Sequence, residues 1–175
     1  SGLLRITASV PFGRQVVAPF ATEFLRANPE AQVDLLLTDS VVDIVGQGID
    51  LAIRIARLRE SGLIARRLAP NPLGLYAAPA YLQERAAPRR IADLATHKCL
   101  AITGVRHWAF IGTGGNTVRQ RIGGRFTASS PEALREACIG GEGIGQLSGW
   151  MTVDDLAADR LVAITLEDGA PEPLD

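Results

Sequence analysis

The sequence predicts an α/β fold in which the strands of a parallel sheet alternate with helices. Short apolar runs at 3–8, 32–37 and 51–55 predict strands. Between the first two, apolar residues recur at helical spacing from Phe12 to Leu25, and Asn28-Pro29 ends that helix. Strands that alternate with helices in this way are typical of βαβ units, whose parallel sheet carries helices on its faces.

Two features of this first stretch concern the course of its helices. Pro19 lies inside the first helical period, and because it lacks an amide donor and crowds the preceding turn, the helix either bends or restarts there. The sequence leaves both alternatives open. Apolar residues within 41–45 predict a second, short helix, which Gly46 and Gly48 would end.

The same alternation begins again in the second half of the chain and predicts a second, smaller lobe of similar build. Extended runs at 63–69 and 73–78 precede it, and the chain crosses between lobes near residue 78, where Pro79 starts a helical turn. Ser130 is the predicted N-cap of a later helix, which Gly140-Gly141 end. The predicted lobes are 1–77 plus 160–175 and 78–159.

Further elements follow from apolar runs in this second half. We predict strands at 99–102, 144–147 and 161–166, the last of which returns to the first lobe. The Pro-rich tail, 169–175, is expected to be unpaired. The remaining predicted elements are extended pieces at 108–111 and 118–122 and a helix at 150–158.

The composition excludes disorder and gives the chain no electrostatic attraction to nucleic acid. Of its 175 residues, 47% are hydrophobic and 21% are charged, and the formal net charge is -1. A near-neutral chain lacks the positive field that dominates non-specific binding to phosphate backbones. We therefore expect the chain not to bind DNA by itself.

Cysteine usage and hydropathy predict a cytoplasmic protein. Cys99 and Cys138 are too few for a disulfide framework, and their apolar neighbours suit buried free thiols. No apolar run approaches the length of about 20 residues that spans a bilayer, and no leader with a cleavage site opens the chain. We expect no contact with a membrane.

Polar side chains follow the first two predicted strands. The first strand stops at Ser9-Val10-Pro11, where the helix through Phe12 begins, so the Ser9 hydroxyl and the first free amides of the helix would stabilise an anion. The alternative is that Ser9 only caps its own helix. Ligands of open α/β sheets bind at the carboxyl ends of the strands, so Thr38 and Ser40 belong to the same candidate site. Asp39 or Ser40 could instead cap the short helix that follows.

Catalytic and metal-binding sites are not predicted. His97 and Cys99 lie close in sequence, but strand geometry sends alternate side chains to opposite faces, and no third orienting group is evident. His107 has no partner at metal-ligand spacing. The glycine-rich run 140–145 follows a helix and precedes a strand, the reverse of a phosphate loop, so it is predicted to stop the helix and turn closely into the strand. We expect neither a cofactor nor an enzyme.

Several segments, taken in order, resemble the effector-binding domain of the LysR-type transcriptional regulators. The resemblance covers 2–166, and it lies in the order of the motifs rather than in any one of them. The segments are GLLRITASVPFGRQVVAPFATEFLRANPEAQVDLLLTD, GIDLAIRIARLRESGLIARRLAP, AAPAYL, DLATHKCL and SSPEALREACIGGEGIGQLSGWMTVDDLAADRLVAI.

The resemblance implies two Rossmann-like lobes joined by two crossing strands, as in type 2 periplasmic binding proteins, with a small-molecule effector held between the lobes. It also implies an amino-terminal winged helix-turn-helix that binds DNA and is absent from this chain. Ser9, Val10, Pro11 and Phe12 match the family's first effector loop, and Thr38 matches the polar residue after its second strand. On the opposite wall, the matching residues are Thr103, Gly104, Ser129 and Gln146.

The resemblance also bears on partners. Family members pair their sensing domains and form dimers of dimers, so we expect a homodimer, with DNA contacted only through the missing domain. The helix from Phe12 to Leu25 and the 41–45 segment could supply the paired surfaces, although amphipathic helices most often pack on their own sheet. The effector is predicted to be a small organic anion. The competing prediction is a solute-binding protein of a transport system, which shares the two-lobed cleft.

Overall fold

The computed structural model describes residues 2–56 and 62–174, and the chain divides into two compact units, 1–56 and 57–175. The lobe boundaries expected from the sequence stay a prediction. Within the described residues, no helix is both long and apolar enough to cross a membrane.

Unit 1 is built on a three-stranded parallel sheet. Its strands are β1 (Gly2–Ala8), β2 (Ala31–Leu37) and β3 (Leu51–Ile53), in the order β2-β1-β3. All seven residues of β1 pair with β2, and its last three also pair with β3. The central strand is buried at its carboxyl end, where Thr7 and Ala8 have no exposed surface. The parallel sheet predicted from the alternation is confirmed.

The helix that follows β1 changes its winding before Pro19. It runs as α1 (Val10–Phe12), a π-helical turn (Gly13–Val17) and α2 (Ala18–Ala27). The amide of Ala18 bonds to the carbonyl of Gly13, five residues back, and Pro19, which has no amide, then lies in the first turn of α2. The residues at each junction keep right-handed helical angles, so a widened turn accommodates Pro19 within one continuous helical path, and a bend at the proline stays a prediction.

The short helix predicted at 41–45 is wrong, because the chain forms only a turn over residues 44–48. The Asp43 side chain accepts a hydrogen bond from the Gly46 amide at 2.9 Å. Gly48 has a φ of 61°, in the left-handed region that glycine tolerates. Local side-chain bonding and two glycines thus outweigh the apolar pattern.

Unit 2 contains a five-stranded and a three-stranded sheet. The larger has the order β10-β4-β9-β5-β8, and the smaller has the order β11-β6-β7. The extended run predicted at 63–69 belongs to neither. The strands are β4 (Leu73–Ala77), β5 (Cys99–Ile102), β6 (His107–Gly112), β7 (Thr117–Arg121), β8 (Thr127–Ala128), β9 (Ile144–Ser148), β10 (Val162–Ile164) and β11 (Gly169–Pro171).

The tail is paired, contrary to the expectation from its proline content. Strand β11 runs antiparallel to β6, with Pro171 opposite Phe110. Beyond it, Leu174 and Asn71 exchange two backbone hydrogen bonds of 2.8 and 3.0 Å. Asp175 lies outside the described residues. Pro171 is the last residue of an edge strand. The outer side of an edge strand pairs with no other strand, so an amide donor is not needed there.

The helices of unit 2 are short. They are α3 (Pro79–Glu84), α4 (Pro131–Ile139) and α5 (Val153–Ala157), and 3-10 turns occupy Ile91–Thr96 and Gly149–Met151. The predicted helix at 150–158 is therefore split. Two positional predictions are confirmed: Ser130 is the N-cap of α4, and Gly140 is its C-cap.

The larger sheet is buried on both faces. Alternate residues of β4 enter different apolar clusters: Leu75 packs with Phe110 and Ile144, and Tyr76 packs with Leu134 and other residues beside α4. Helix α4 is also tied to α5 by Asp155, which has no exposed surface and accepts hydrogen bonds from two arginines, Arg135 and Arg160. Burial would raise the pKa of Asp155, but the arginines outweigh it and hold that pKa below its ordinary value.

Candidate functional site

Polar residues follow the ends of all three strands in unit 1. Strand β1 ends at Ala8, β2 at Leu37 and β3 at Ile53. Because the strands are parallel and in register, their carboxyl ends meet at one edge of the sheet. We call this the unit 1 edge and define it by residues Ser9–Phe12, Thr38–Ser40 and Arg54.

Hydrogen bonds join the two predicted loops of the unit 1 edge. The Thr38 amide donates to the carbonyl of Ala8 at 3.0 Å. The Val10 amide donates to Asp39 Oδ1 at 3.0 Å, and the Ser40 amide donates to Thr38 Oγ1 at 3.1 Å. The structure therefore brings together the predicted residues of the first lobe. Whether they contact a ligand stays a prediction.

The start of the helix is capped by Asp39 rather than by Ser9. The Ser9 side chain makes no capping hydrogen bond, although its carbonyl accepts the Gly13 amide at 2.8 Å. Pro11 has no amide, and the Val10 amide is already bonded to the Asp39 carboxylate. The expectation that free helix amides would supply an anion site is therefore weakened, because an internal carboxylate occupies the first of them.

Arg54 supplies the positive charge at this edge, and the sequence analysis did not single it out. Its Nη1 donates to the Thr38 carbonyl at 2.7 Å, and its Nη2 donates to Thr7 Oγ1 at 2.8 Å. Partial burial lowers the pKa of the Arg54 guanidinium, and the nearby Asp39 carboxylate opposes that shift. The guanidinium stays charged at neutral pH. The apolar pattern extended the third strand to residue 55, which placed Arg54 inside it, whereas β3 ends at Ile53 and leaves Arg54 directly after the strand, in the position that selected Thr38.

Unit 2 contains a cavity of about 450 Å³ beside the ends of β5 and β9. Of the four predicted residues of the second lobe, Gln146 lines this cavity, and the others do not. Thr103 and Ser129 follow the paired residues Ile102 and Ala128, and the Thr103 amide donates to the Ala128 carbonyl at 3.0 Å. Gly104 turns the chain with a φ of 86°. The lining comprises Leu73, Leu100, Ile102, Val105, His107, Trp108, Ala109, Thr117, Arg119, Pro131, Leu134, Gln146, Leu147, Ser148, Glu172 and Leu174.

Two polar residues of β9, Gln146 and Ser148, are among the residues that line this cavity. Gln146 Nε2 is buried and has no hydrogen-bond partner among the described residues. Ser148 Oγ accepts a hydrogen bond from Asn71 Nδ2 at 2.9 Å, and Asn71 Oδ1 accepts one from the Trp150 indole at 3.0 Å. The Ser148 hydroxyl is thus held in place by a buried network.

The pair of His97 and Cys99 has no nucleophile–base geometry. His97 Nδ1 is bonded to the Tyr81 hydroxyl at 3.0 Å, and the Cys99 thiol contacts the Leu94 carbonyl at 3.6 Å. Burial raises the pKa of the Cys99 thiol to about 12, so it stays protonated. Across residues 2–56 and 62–174, no cluster of three potential metal-ligating side chains occurs.

The glycine-rich run has the structural role that its position predicted. Gly140 ends α4, and Gly141 adopts a φ of 79°. A side-chain carbon at Gly143 would lie 2.2 Å from the Lys98 carbonyl oxygen, so only glycine fits where the backbone enters β9.

The chain matches the LysR substrate binding domain family over residues 1–174, and it belongs to that family. The fold and the family predicted from the ordered motifs are thereby confirmed. It is 32% identical over 169 residues to the transcriptional regulator CrgA of Neisseria meningitidis, covering 95% of this chain and 56% of CrgA. It is 34% identical over 170 residues to the regulator DmlR of Escherichia coli, covering 95% of this chain and 55% of DmlR. The chain thus spans about half the length of these relatives.

Solved structures of the same family have the same fold. The full-length virulence activator AphB of Vibrio cholerae superposes with a TM-score of 0.85 at 28% identity, over 100% of this chain and 60% of AphB. The CrgA regulatory domain of N. meningitidis superposes with a TM-score of 0.79 at 30% identity, over 99% of this chain and 88% of that one. The described geometry is therefore that of a LysR-type regulatory domain.

Replacing Asp39 with alanine is expected to lower the free energy of unfolding by about 1 kcal/mol, because the first amide of the helix loses its cap. Urea unfolding followed by circular dichroism measures the change. Asp39→Asn is the matched control, since it retains a side-chain oxygen for the Val10 amide and should recover most of the loss. Equal stability of the alanine and asparagine variants would contradict the capping role.

Proposed function

We propose that this chain senses a small organic anion and thereby controls transcription in the cytoplasm, with DNA bound by a separate winged helix-turn-helix. Membership of the LysR family and relatives named as transcriptional regulators support this role over the competing one of a transport solute-binding protein. The chemistry is recognition rather than catalysis. The ligand would favour one of two arrangements of the intact regulator and so change its contacts with DNA.

The observation that carries the anion proposal is the partly buried guanidinium of Arg54 at the unit 1 edge. Two of its nitrogens are held by Thr38 and Thr7, so the charge is fixed in position before a ligand arrives. A guanidinium in a partly desolvated site forms stronger hydrogen bonds with a carboxylate than it does in water.

Neighbouring hydroxyls would complete the anion site. Thr38 Oγ1 accepts the Ser40 amide, so its own proton is available to another acceptor. The Ser9 hydroxyl makes no capping bond to its helix. Because the Asp39 carboxylate already attracts Arg54, we expect a bound anion to depend on these hydroxyl donors as well as on charge.

Arg54→Gln is expected to weaken carboxylate binding by about tenfold or more, the usual effect of losing a charged hydrogen bond. Isothermal titration calorimetry with acetate, propionate, succinate and benzoate measures the change, and alkylammonium ions serve as oppositely charged probes. The matched control is Arg26→Gln, which removes an exposed arginine from α2.

Arg54 also bonds to the backbone of unit 1, so Arg54→Gln lowers the stability of the chain as well as its affinity for the anion. Arg54→Lys keeps the positive charge and so distinguishes the two effects. Its affinity should lie between those of the wild type and Arg54→Gln. Binding of the cations alone, or equal carboxylate affinity in all three proteins, would refute the anion site.

We also propose that the chain forms a homodimer through unit 1, with dimers of dimers in the full-length protein. Helix α2 has no buried residue, and Phe20 is 70% exposed. Val16, Phe24 and Val41 add further exposed apolar surface in the same unit. Val16, Phe20 and Phe24 recur every four residues along the helix, and an exposed apolar patch is typical of a protein–protein interface.

Phe20→Glu is expected to shift the chain towards monomer in analytical ultracentrifugation, because a carboxylate would be desolvated in the interface. Val153→Glu is the control, since Val153 is 61% exposed but lies in unit 2. A wild-type chain that stays monomeric at high concentration would defeat the proposal. So would a dimer that survives Phe20→Glu and is lost with Val153→Glu.

A further inference from the structure

The unit 1 edge carries two opposite charges close together. Arg54 Nη1 bonds to the carbonyl of Thr38, and the next residue along the chain is Asp39. Partial burial lowers the pKa of the Arg54 guanidinium, and attraction by the Asp39 carboxylate opposes that shift. A ligand at this edge therefore meets a cation and an anion at the same time.

The scaffold of unit 1 holds each of these charges in place. Asp39 Oδ1 accepts a hydrogen bond from the Val10 amide at 3.0 Å. The Arg54 guanidinium donates to the Thr38 carbonyl at 2.7 Å and to Thr7 Oγ1 at 2.8 Å. Both charges are thus fixed before a ligand arrives, which lowers the entropy cost of binding one that matches them.

Both charged groups have hydrogen-bonding capacity left for a ligand. The Val10 amide uses one of the roughly four lone-pair sites of the Asp39 carboxylate. Thr38 and Thr7 accept from two N–H groups of Arg54, and a guanidinium has further donors. Because Asp39 is exposed and Arg54 is half-buried, both present surface to a ligand.

A ligand whose only charge is a carboxylate matches one half of this arrangement. Arg54 attracts its charge and Asp39 repels it, so the two effects partly cancel. A ligand with an ammonium on the carbon next to its carboxylate carries both charges within a short span. Its carboxylate can then approach Arg54 while its ammonium approaches Asp39, and both interactions are favourable.

We infer that the effector is a 2-amino acid, whose carboxylate accepts hydrogen bonds from Arg54 and whose ammonium donates to Asp39. This inference rests on the proposed function, since it names the chemical class of the carboxylate that the unit 1 edge binds. It gives Asp39 a second role besides capping the helix: its charge distinguishes an amino acid from other carboxylates of the same size.

The test compares L-alanine, L-lactate and propionate by isothermal titration calorimetry on the whole chain. These probes share a carboxylate and a methyl group, and they differ only in the ammonium, hydroxyl or hydrogen on the carbon between them. We expect L-alanine to bind about fivefold more tightly than propionate, as for one ion pair with an exposed carboxylate. L-lactate should lie between the two, because its hydroxyl donates to Asp39 without a charge.

Asp39→Asn removes the charge and keeps a side-chain oxygen for the Val10 amide, so the helix stays capped. We expect this variant to bind L-alanine less tightly and propionate more tightly than the wild type, which removes the preference. A purely structural role of Asp39 would move both affinities in the same direction. Glu30→Gln is the matched control, since it removes an exposed carboxylate of unit 1 outside the unit 1 edge and should leave the order of the probes unchanged.

The outcomes separate this inference from the anion site. Equal affinity for the three probes, lost with Arg54→Gln, overturns the amino acid class and leaves the proposed function standing. A preference for L-alanine that survives Asp39→Asn overturns the role of Asp39. Tighter binding of all three probes to Asp39→Asn also overturns it, because Asp39 would then act only as a competing anion. Failure of all three probes to bind overturns both the inference and the anion site.

Discussion

Parallel pairing of β1 with β2 and β3 is the constraint on which the candidate site depends. It aligns three carboxyl ends in register, and the residue that follows each strand then reaches the same edge of the sheet. The amide of Thr38 bonds to Ala8, and Arg54 bonds to Thr38 and Thr7, so the strand ends are joined to one another. A guanidinium that fixes the scaffold in this way is also pre-positioned for a ligand.

The sequence predicts much of the unit 1 edge, because the alternation of strands and helices can be recognised from apolar patterns within short segments. Ser9, Thr38 and Ser40 follow from where the first two strands stop. Arg54 and the capping role of Asp39 do not, because each depends on a contact between segments far apart in the chain, and spacing carries no information on which side chain reaches which amide. Local bonding also explains the failed helix at 41–45, where Asp43 and the glycines favour a turn.

Unit 2 was less accessible to sequence reasoning, since its sheets combine parallel and antiparallel pairs from distant segments. The tail illustrates the difficulty: its prolines predicted an unpaired end, yet β11 pairs with β6, and Leu174 joins Asn71 and lines the cavity. Gln146 was predicted through the family resemblance. The cavity in which it lies depends on packing between strands that the apolar pattern alone does not place.

Nitrogen-15 NMR of the chain, titrated with propionate, tests most directly whether the unit 1 edge binds an anion. It follows the backbone amides and the arginine Nε signals together, so it reports where the ligand sits as well as whether it binds. We predict saturable shifts concentrated at the amides around Ser9 and Thr38 and at Nε of Arg54. Shifts that do not saturate, or that leave the Arg54 signal unmoved while other residues respond, would contradict the account.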